Sequence, residues 1–151
     1  KKRRRKLKYV IVDIDGTCSD GSHRKHLLET APRKWDEWHE LCHLDANHRH
    51  INQLVWALFD AGYNIVYITG RMERSREKTR TWLRTHHFPE GPLYMRPEND
   101  HRDDIEIKME AANQAGLTPE RVLFAIDARD RVVKMWRDAG YKCLQVAEGS
   151  F

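Results

Sequence analysis

Four short stretches of this sequence carry side chains able to do chemistry together. Asp13-Ile14-Asp15-Gly16-Thr17 sets two carboxylates two residues apart, directly after the apolar run Tyr9-Val10-Ile11-Val12. Thr69-Gly70-Arg71 ends a second apolar run, and Asp127 ends a third, Arg121–Ile126, with Lys108 in the segment before it. Singly, each is ordinary, because an Asp after a strand most often caps a helix or fills a turn. Together they suit phosphoryl transfer to a carboxylate. An Asp can attack phosphorus to give an aspartyl phosphate, and a second Asp can protonate the leaving alcohol and then deprotonate the attacking water. Phosphate and carboxylates repel, so a hard cation has to stand between them. Mg²⁺ takes oxygen ligands and few protein carboxylates, which suits Asp13 and Asp127 with a backbone carbonyl. The Thr69 hydroxyl and the Lys108 ammonium would hold phosphate oxygens as charge moves. Gly16 lets the chain turn tightly enough for backbone amides to approach the phosphate.

Positioning these groups requires elements that end at one place. The apolar runs predict strands over 8–14, 64–69, 93–95, 121–126 and 142–146. Helical periodicity predicts helices over 33–44, 47–61, 73–86, 104–115 and 129–139, several stopped by glycines such as Gly62, Gly116 and Gly140. Strands alternating with helices imply parallel β-α-β units and a sheet covered on both faces. Ligands of such sheets bind at the carboxyl ends of the strands, near a topological switch point. Residues 18–47 exceed an ordinary connection of about 2–6 residues and predict a small cap or flap over that edge.

"DIDGT", "TGR", Lys108 and "AIDARD" follow the order and spacing of the four motifs of the haloacid dehalogenase superfamily of phosphohydrolases, over nearly all of residues 8–151. More narrowly, the chain resembles the 3′-phosphatase domain of bacteriophage polynucleotide kinase-phosphatase. Arg24 lies eleven residues after Asp13, Arg71 follows Thr69-Gly70, Asp104 precedes Lys108 by four residues, and "VVKMWRDAG" and "CLQVAEGSF" resemble that domain's closing helix and strand. The resemblance implies a three-layer α/β Rossmann-like fold with a mostly parallel sheet. It makes Asp13 the nucleophile and Asp15 the general acid/base, with Mg²⁺ held by Asp13, Asp15 and Asp127. Thr69, Gly70, Lys108, Arg24 and Arg71 would serve the phosphate, and Asp104 would orient Lys108 or a neighbouring arginine. The substrate implied is the 3′-phosphorylated end of DNA or RNA during repair. One departure is that Ala128 stands where the phage-type pattern has a second acid, leaving Asp127 to hold the metal alone or with a water-mediated contact from Asp130.

Other readings keep or change the chemistry. A nucleotidase or small-molecule phosphatase would use the same residues on another substrate, and a phosphate-binding domain with little turnover would follow from Ala128. His39-Glu40-Leu41-Cys42-His43 satisfies H-E-x-x-H, which on a helix could bind Zn²⁺ as in a metalloprotease. With nine histidines in the chain and no third ligand apparent, the motif reads as incidental, with His39 and His43 on the exposed side of a helix buried through Trp35, Trp38, Leu41 and Cys42. Trp35 and Trp38 are also the tryptophans nearest the expected site and candidates to touch substrate.

Composition bounds the rest. At 151 residues, with 40% hydrophobic and 33% charged residues, the chain suits one globular domain. No apolar run approaches the roughly 20 residues of a membrane span, and no signal-peptide pattern appears. Cys18, Cys42 and Cys143 are scattered and odd in number, which predicts free thiols and a cytoplasmic setting. The net charge of +4 is misleading. Seven of the 27 basic residues lie within the first eight positions, and the remainder carries 20 basic against 23 acidic residues, a net of −3. Residues 1–7 therefore read as a basic arm or linker, and the folded part gives no global field for a polyanion. The sequence starts without Met, which fits a processed protein or a piece of a longer one. No G-x-x-x-x-G-K-[ST] segment occurs, so a kinase partner would lie on another portion of the chain or on a separate protein.

Overall fold

The structure, a computed structural model, describes residues 7–151, so the basic-arm expectation falls almost wholly outside the described residues. Its strands are β1 (Tyr9–Val12), β2 (Ser19–Asp20), β3 (Ala46–Asn47), β4 (Asn64–Met72), β5 (Leu93–Arg96), β6 (Val122–Asp127) and β7 (Cys143–Gln145). Its α-helices are α1 (Trp35–Glu40), α2 (Arg49–Asp60), α3 (Arg76–Thr85), α4 (Asp104–Gln114) and α5 (Asp130–Asp138).

Five strands form one parallel sheet in the order β5-β4-β1-β6-β7. Both its faces are buried, and the strand period of two sorts the side chains between them. Val10, Val12, Ile65 and Tyr67 pack with Ile51 and Val55 of α2 and Trp82 and Leu83 of α3. Ile11, Val66, Ile68 and Ala125 pack with Ala111 and Ala112 of α4 and Val132, Val133 and Trp136 of α5. This is the three-layer α/β architecture expected, and it explains why the strands read as unbroken apolar runs. The chain builds outward through β1, β4 and β5, then crosses back to lay β6 and β7 on the other side of β1. The order therefore reverses between β1 and β6, where the crevice of an open sheet falls. Val12 is level with Ile126, and the Asp13 amide donates to the Ile126 carbonyl at 3.0 Å, so Asp13 and Asp127 leave the sheet side by side.

Two expectations need correction. β4 runs on through Gly70 and Arg71 to Met72 instead of ending at Thr69, because Met72 still pairs with Arg96 and Arg71 is buried. The helix expected over 33–44 is only α1, followed by a 3₁₀ turn at Cys42–Leu44, because Cys42 and Asp45 are drawn inward. A 3₁₀ segment at Ser22–Leu28 and the antiparallel ribbon of β2 and β3 were not anticipated. That ribbon pairs Ser19 with Asn47 and Asp20 with Ala46, pinching off residues 19–47 as an excursion beside the carboxyl edge.

Candidate active site

Two ionic clusters meet where β1 ends. In the first, Lys108, one turn into α4, reaches across the sheet end. Its Nζ lies 2.7 Å from Asp13 Oδ1 and 2.9 Å from Asp127 Oδ2. Thr17 Oγ1 donates to the other Asp13 oxygen at 3.0 Å, while Asp127 accepts from the Ala128 amide at 2.8 Å and from Trp136 Nε1 at 3.4 Å. Gly16, at φ +80°, makes the turn that brings Thr17 back under Asp13. Burial and the charge of Asp127 push the Asp13 pKa up, only partly opposed by Lys108. Burial would lower the Lys108 pKa, but Asp127 and Asp13 outweigh it and keep the ammonium charged.

The second cluster surrounds Asp15. Arg24 Nη2 donates to Asp15 Oδ1 at 2.6 Å, and Arg71 approaches the same carboxylate through Nε and Nη2 at 2.7 to 3.2 Å. Both arginine side chains are fully buried and also reach Asp45, which closes the cluster from behind. Their remaining nitrogens are spent on the Trp38 carbonyl and the Thr79 hydroxyl. Burial works against the Asp15 anion, yet Arg71 and Arg24 hold its carboxyl well below the usual carboxylate range.

Thr69 is buried, its hydroxyl accepting from the Arg71 amide at 3.2 Å. Gly70 abuts the Asp104 carboxylate so closely that a Cβ there would overlap it. Asp104 pairs with Arg96 and, at 3.0 Å, with Arg129, and Arg96 also binds the Gly70 carbonyl at 2.8 Å. The structure thus brings all the candidate residues to one edge, with Asp104 engaging arginines instead of hydrogen-bonding Lys108. Sequence reasoning missed Asp45, Thr17 and Thr79. Thr17 lies within the first motif and was legible there; Asp45 has no motif around it.

The donor set fits a hard dication. Two buried carboxylates share a single ammonium, an imbalance that appears as the raised Asp13 pKa and that a second positive charge would relieve. Among the described residues no three His, Cys, Asp or Glu side chains converge. A cation at Asp13 and Asp127 would therefore draw on backbone, water and phosphate oxygens, the habit of Mg²⁺. The H-E-x-x-H residues do not present a zinc pair. His39 is buried beside Trp35 and Trp38, whereas His43 is exposed beyond the end of α1 and bonded to the Glu40 carbonyl. The expectation that both line one exposed face fails because the helix stops at Glu40. Trp35, expected to turn inward, is 48% exposed.

Known proteins place this edge in context. A chain in the structure of the Pnkp1/Rnl/Hen1 RNA repair complex superposes with a TM-score of 0.80 at 29% identity, covering 96% of this chain and 44% of that one. The haloacid dehalogenase-like hydrolase SP0104 from Streptococcus pneumoniae shares the fold, with a TM-score of 0.66 at 15% identity over 93% of this chain and 85% of its own. Phosphatidic acid phosphohydrolase 1 of Saccharomyces cerevisiae is 28% identical over 82% of this chain and 14% of its own length. The chain thus spans under half of the repair-complex chain and about one-seventh of the yeast protein. Residues 7–151 match the family described as the polynucleotide kinase PNKP phosphatase domain, a haloacid dehalogenase-type phosphatase domain, and it is to this family that the chain belongs.

Proposed function

We propose that this domain is a Mg²⁺-dependent phosphomonoesterase that removes 3′-phosphates from polynucleotide ends. The observation that carries the chemistry is the buried Asp13–Lys108–Asp127 cluster with Asp15 two residues away. Mg²⁺, bound by Asp13, Asp127 and a backbone carbonyl at Asp15, would neutralise charge between carboxylate and phosphate. An Asp13 carboxylate oxygen attacks phosphorus, and the bond to the 3′ oxygen breaks. Lys108, the Thr69 hydroxyl and the Gly70 backbone offset charge on the phosphoryl oxygens. The arginines favour the Asp15 anion, and the negative charge of the arriving phosphate offsets them, so that Asp15 takes up a proton from solvent. It passes that proton to the leaving alkoxide and later removes one from the water that cleaves the aspartyl phosphate, releasing inorganic phosphate.

Membership of the PNKP family and the likeness to a chain of an RNA repair complex support a polynucleotide substrate. So does the excursion at 19–47, read as a small cap. It presents an exposed Trp35 beside Trp38, whose ring lies 3.9 Å beneath the Arg24 guanidinium that contacts Asp15. A kinase would then reside on another portion of the protein or on a partner. A second reading, a mononucleotide or small-molecule phosphatase, is favoured by the net −3 of the chain beyond its basic start and by the engagement of Arg24, Arg71 and Arg96 within the protein.

Phosphate release is to be measured with Mg²⁺ from matched oligonucleotides bearing 3′- or 5′-phosphate, from a nucleoside 3′-monophosphate and from phosphatidate vesicles, with Asp13→Asn as control. Preference for the 3′-phosphorylated oligonucleotide, lost in the variant, is the expected result. Equal or better turnover of the mononucleotide moves the assignment to a metabolite phosphatase, and preference for the vesicles moves it to a lipid phosphatase like the yeast relative.

A further inference from the structure

After β7 the chain runs without regular structure over residues 146–151 and lies across the loop that follows Asp127. The Val146 amide donates to the Asp127 carbonyl at 3.1 Å, and the Asp130 amide donates to the Gly149 carbonyl at 2.7 Å. Gln145 Nε2 adds a bond to the Ala128 carbonyl at 3.0 Å. Gly149 passes so close to that carbonyl that a Cβ would overlap it. Arg129 fastens the far end. Its Nε donates to the Phe151 main-chain oxygen at 2.5 Å, while its Nη1 holds Asp104 at 3.0 Å.

This fastening delivers the Phe151 ring to the first motif. A Cβ on Gly16 would stand 3.7 Å from the ring edge and 3.5 Å from the Ala128 methyl, so the ring lies against the turn that joins Asp15 to Thr17. The Arg129 guanidinium carbon is 6.0 Å from the ring centroid, at the range where a cation and a π system attract. Yet Phe151 is 57% exposed.

Core packing does not account for the arrangement, because a ring left more than half in water gains only part of its burial energy. What the hydrogen bonds supply is preorganisation. The backbone is ordered before a ligand arrives and a Phe side chain has only two torsions, so stacking a second flat group on the ring costs little further entropy. Nucleobases are such groups, and stacking tolerates any of them because each has a π face. Stacking also needs no attractive long-range field, which the net −3 of the chain beyond its basic start does not provide.

We propose that Phe151 is a substrate-binding residue whose exposed ring stacks on the 3′-terminal nucleobase when the phosphate is at Asp13. The proposal deepens the function given above and rests on it for a nucleoside 3′-phosphate, whether polymer or mononucleotide.

Removing the ring and removing the base test it together. KM and kcat are measured for wild type, Phe151→Ala, Phe151→Leu and Phe151→Trp on a 3′-phosphorylated oligonucleotide, on the same oligonucleotide with an abasic 3′-terminal residue, and on a nucleoside 3′-monophosphate. Phe151→Ala is expected to raise KM for the two base-bearing substrates by roughly five- to 100-fold, with kcat within about threefold, and to leave the abasic substrate within about threefold. Phe151→Trp should keep the wild-type KM. Phe151→Leu, which retains apolar bulk against Gly16, should lose as Phe151→Ala does. As a direct readout, 2-aminopurine at the 3′-terminal position should be quenched on binding to Asp13→Asn protein, and the quenching should be lost when Phe151→Ala is added.

Equal losses on the base-bearing and abasic substrates, wild-type behaviour of Phe151→Leu, or no effect of Phe151→Ala would each overturn the proposal while leaving the phosphatase function standing. If the wild type cleaves phosphatidate vesicles and neither nucleotide substrate, the substrate reading fails first and takes this inference with it.

Discussion

Gly70 is required by its neighbour rather than by its own backbone. A Cβ at this position would overlap the Asp104 carboxylate, which is itself held by Arg96 and Arg129. Gly70→Ala must push Asp104 aside, disturb that pairing and shift Thr69, whose hydroxyl is expected to hold phosphate. We expect a thermal midpoint lowered by the equivalent of about 1–3 kcal/mol and a fall in kcat/KM of at least roughly tenfold, read from melting curves and phosphate release. Asp13→Asn should behave oppositely in stability. Burial and Asp127 make the Asp13 charge unfavourable, so its neutral replacement should melt at the same or a higher temperature without divalent cations while losing roughly 1000-fold or more in activity. Parallel melting and rate measurements on one preparation separate these effects.

At the scale of elements, α1 is the piece whose role depends on how it is pinned. Its acidic residues are tied to the main body by Arg74–Asp36 at 2.9 Å and Lys78–Glu40 at 2.6 Å, and its Trp38 lies under Arg24. That leaves Trp35 half exposed beside the site. Under the polynucleotide reading, Trp35→Ala should raise KM for the 3′-phosphorylated oligonucleotide by about five- to 100-fold, the worth of one base stack, and leave a nucleoside 3′-monophosphate less affected. Equal effects on both substrates would make Trp35 a packing residue. α1 also carries the buried His39, whose pKa burial lowers to about 4; nearby Asp15 favours its charged form, while Arg74, Arg71 and Arg24 oppose it. The unfolded chain, with an ordinary histidine, binds the proton at higher pH than the folded one. Stability from keeping His39 neutral is thus complete above about pH 6.5 and lost progressively as pH falls toward 4, by on the order of 2 kcal/mol. Thermal melts over that range should show the loss, and His39→Gln should flatten it.

Over the whole molecule, the sheet assembles a site from segments far apart in the chain. Asp13, Lys108 and Asp127 come from β1's end, α4 and β6's end, and their shared charge deficit predicts a linkage between metal and global stability. Adding Mg²⁺ should raise the thermal midpoint, by about 2.7 kcal/mol of stabilisation at 100 times its dissociation constant, and EDTA should reverse this and abolish turnover. A midpoint indifferent to Mg²⁺ would contradict a metal at Asp13 and Asp127. No helix among the described residues is long and apolar enough to cross a membrane.

The parallel sheet, its helices and the convergence of Asp13, Thr69, Lys108 and Asp127 were legible in the sequence because they rest on local signals. Apolar runs of strand length, glycine stops and acids at run ends require no knowledge of distant contacts. The 19–47 excursion was legible in extent but not in form. α1 is too short to be set by periodicity, and its ends follow from burying Cys42 and Asp45 and from ion pairs to Arg74 and Lys78. The same holds for β4, which continues through Thr69-Gly70-Arg71 because pairing with β5 and the burial of Arg71 favour extended backbone there. Asp45, with no motif to mark it, acquires its role only when Arg24 and Arg71 arrive from elements 47 residues apart in sequence. Local sequence determined which elements form and which groups stand at their ends. The tertiary structure alone decided which charges are buried together, because the cost of desolvating an ion depends on every neighbour that folding brings to it.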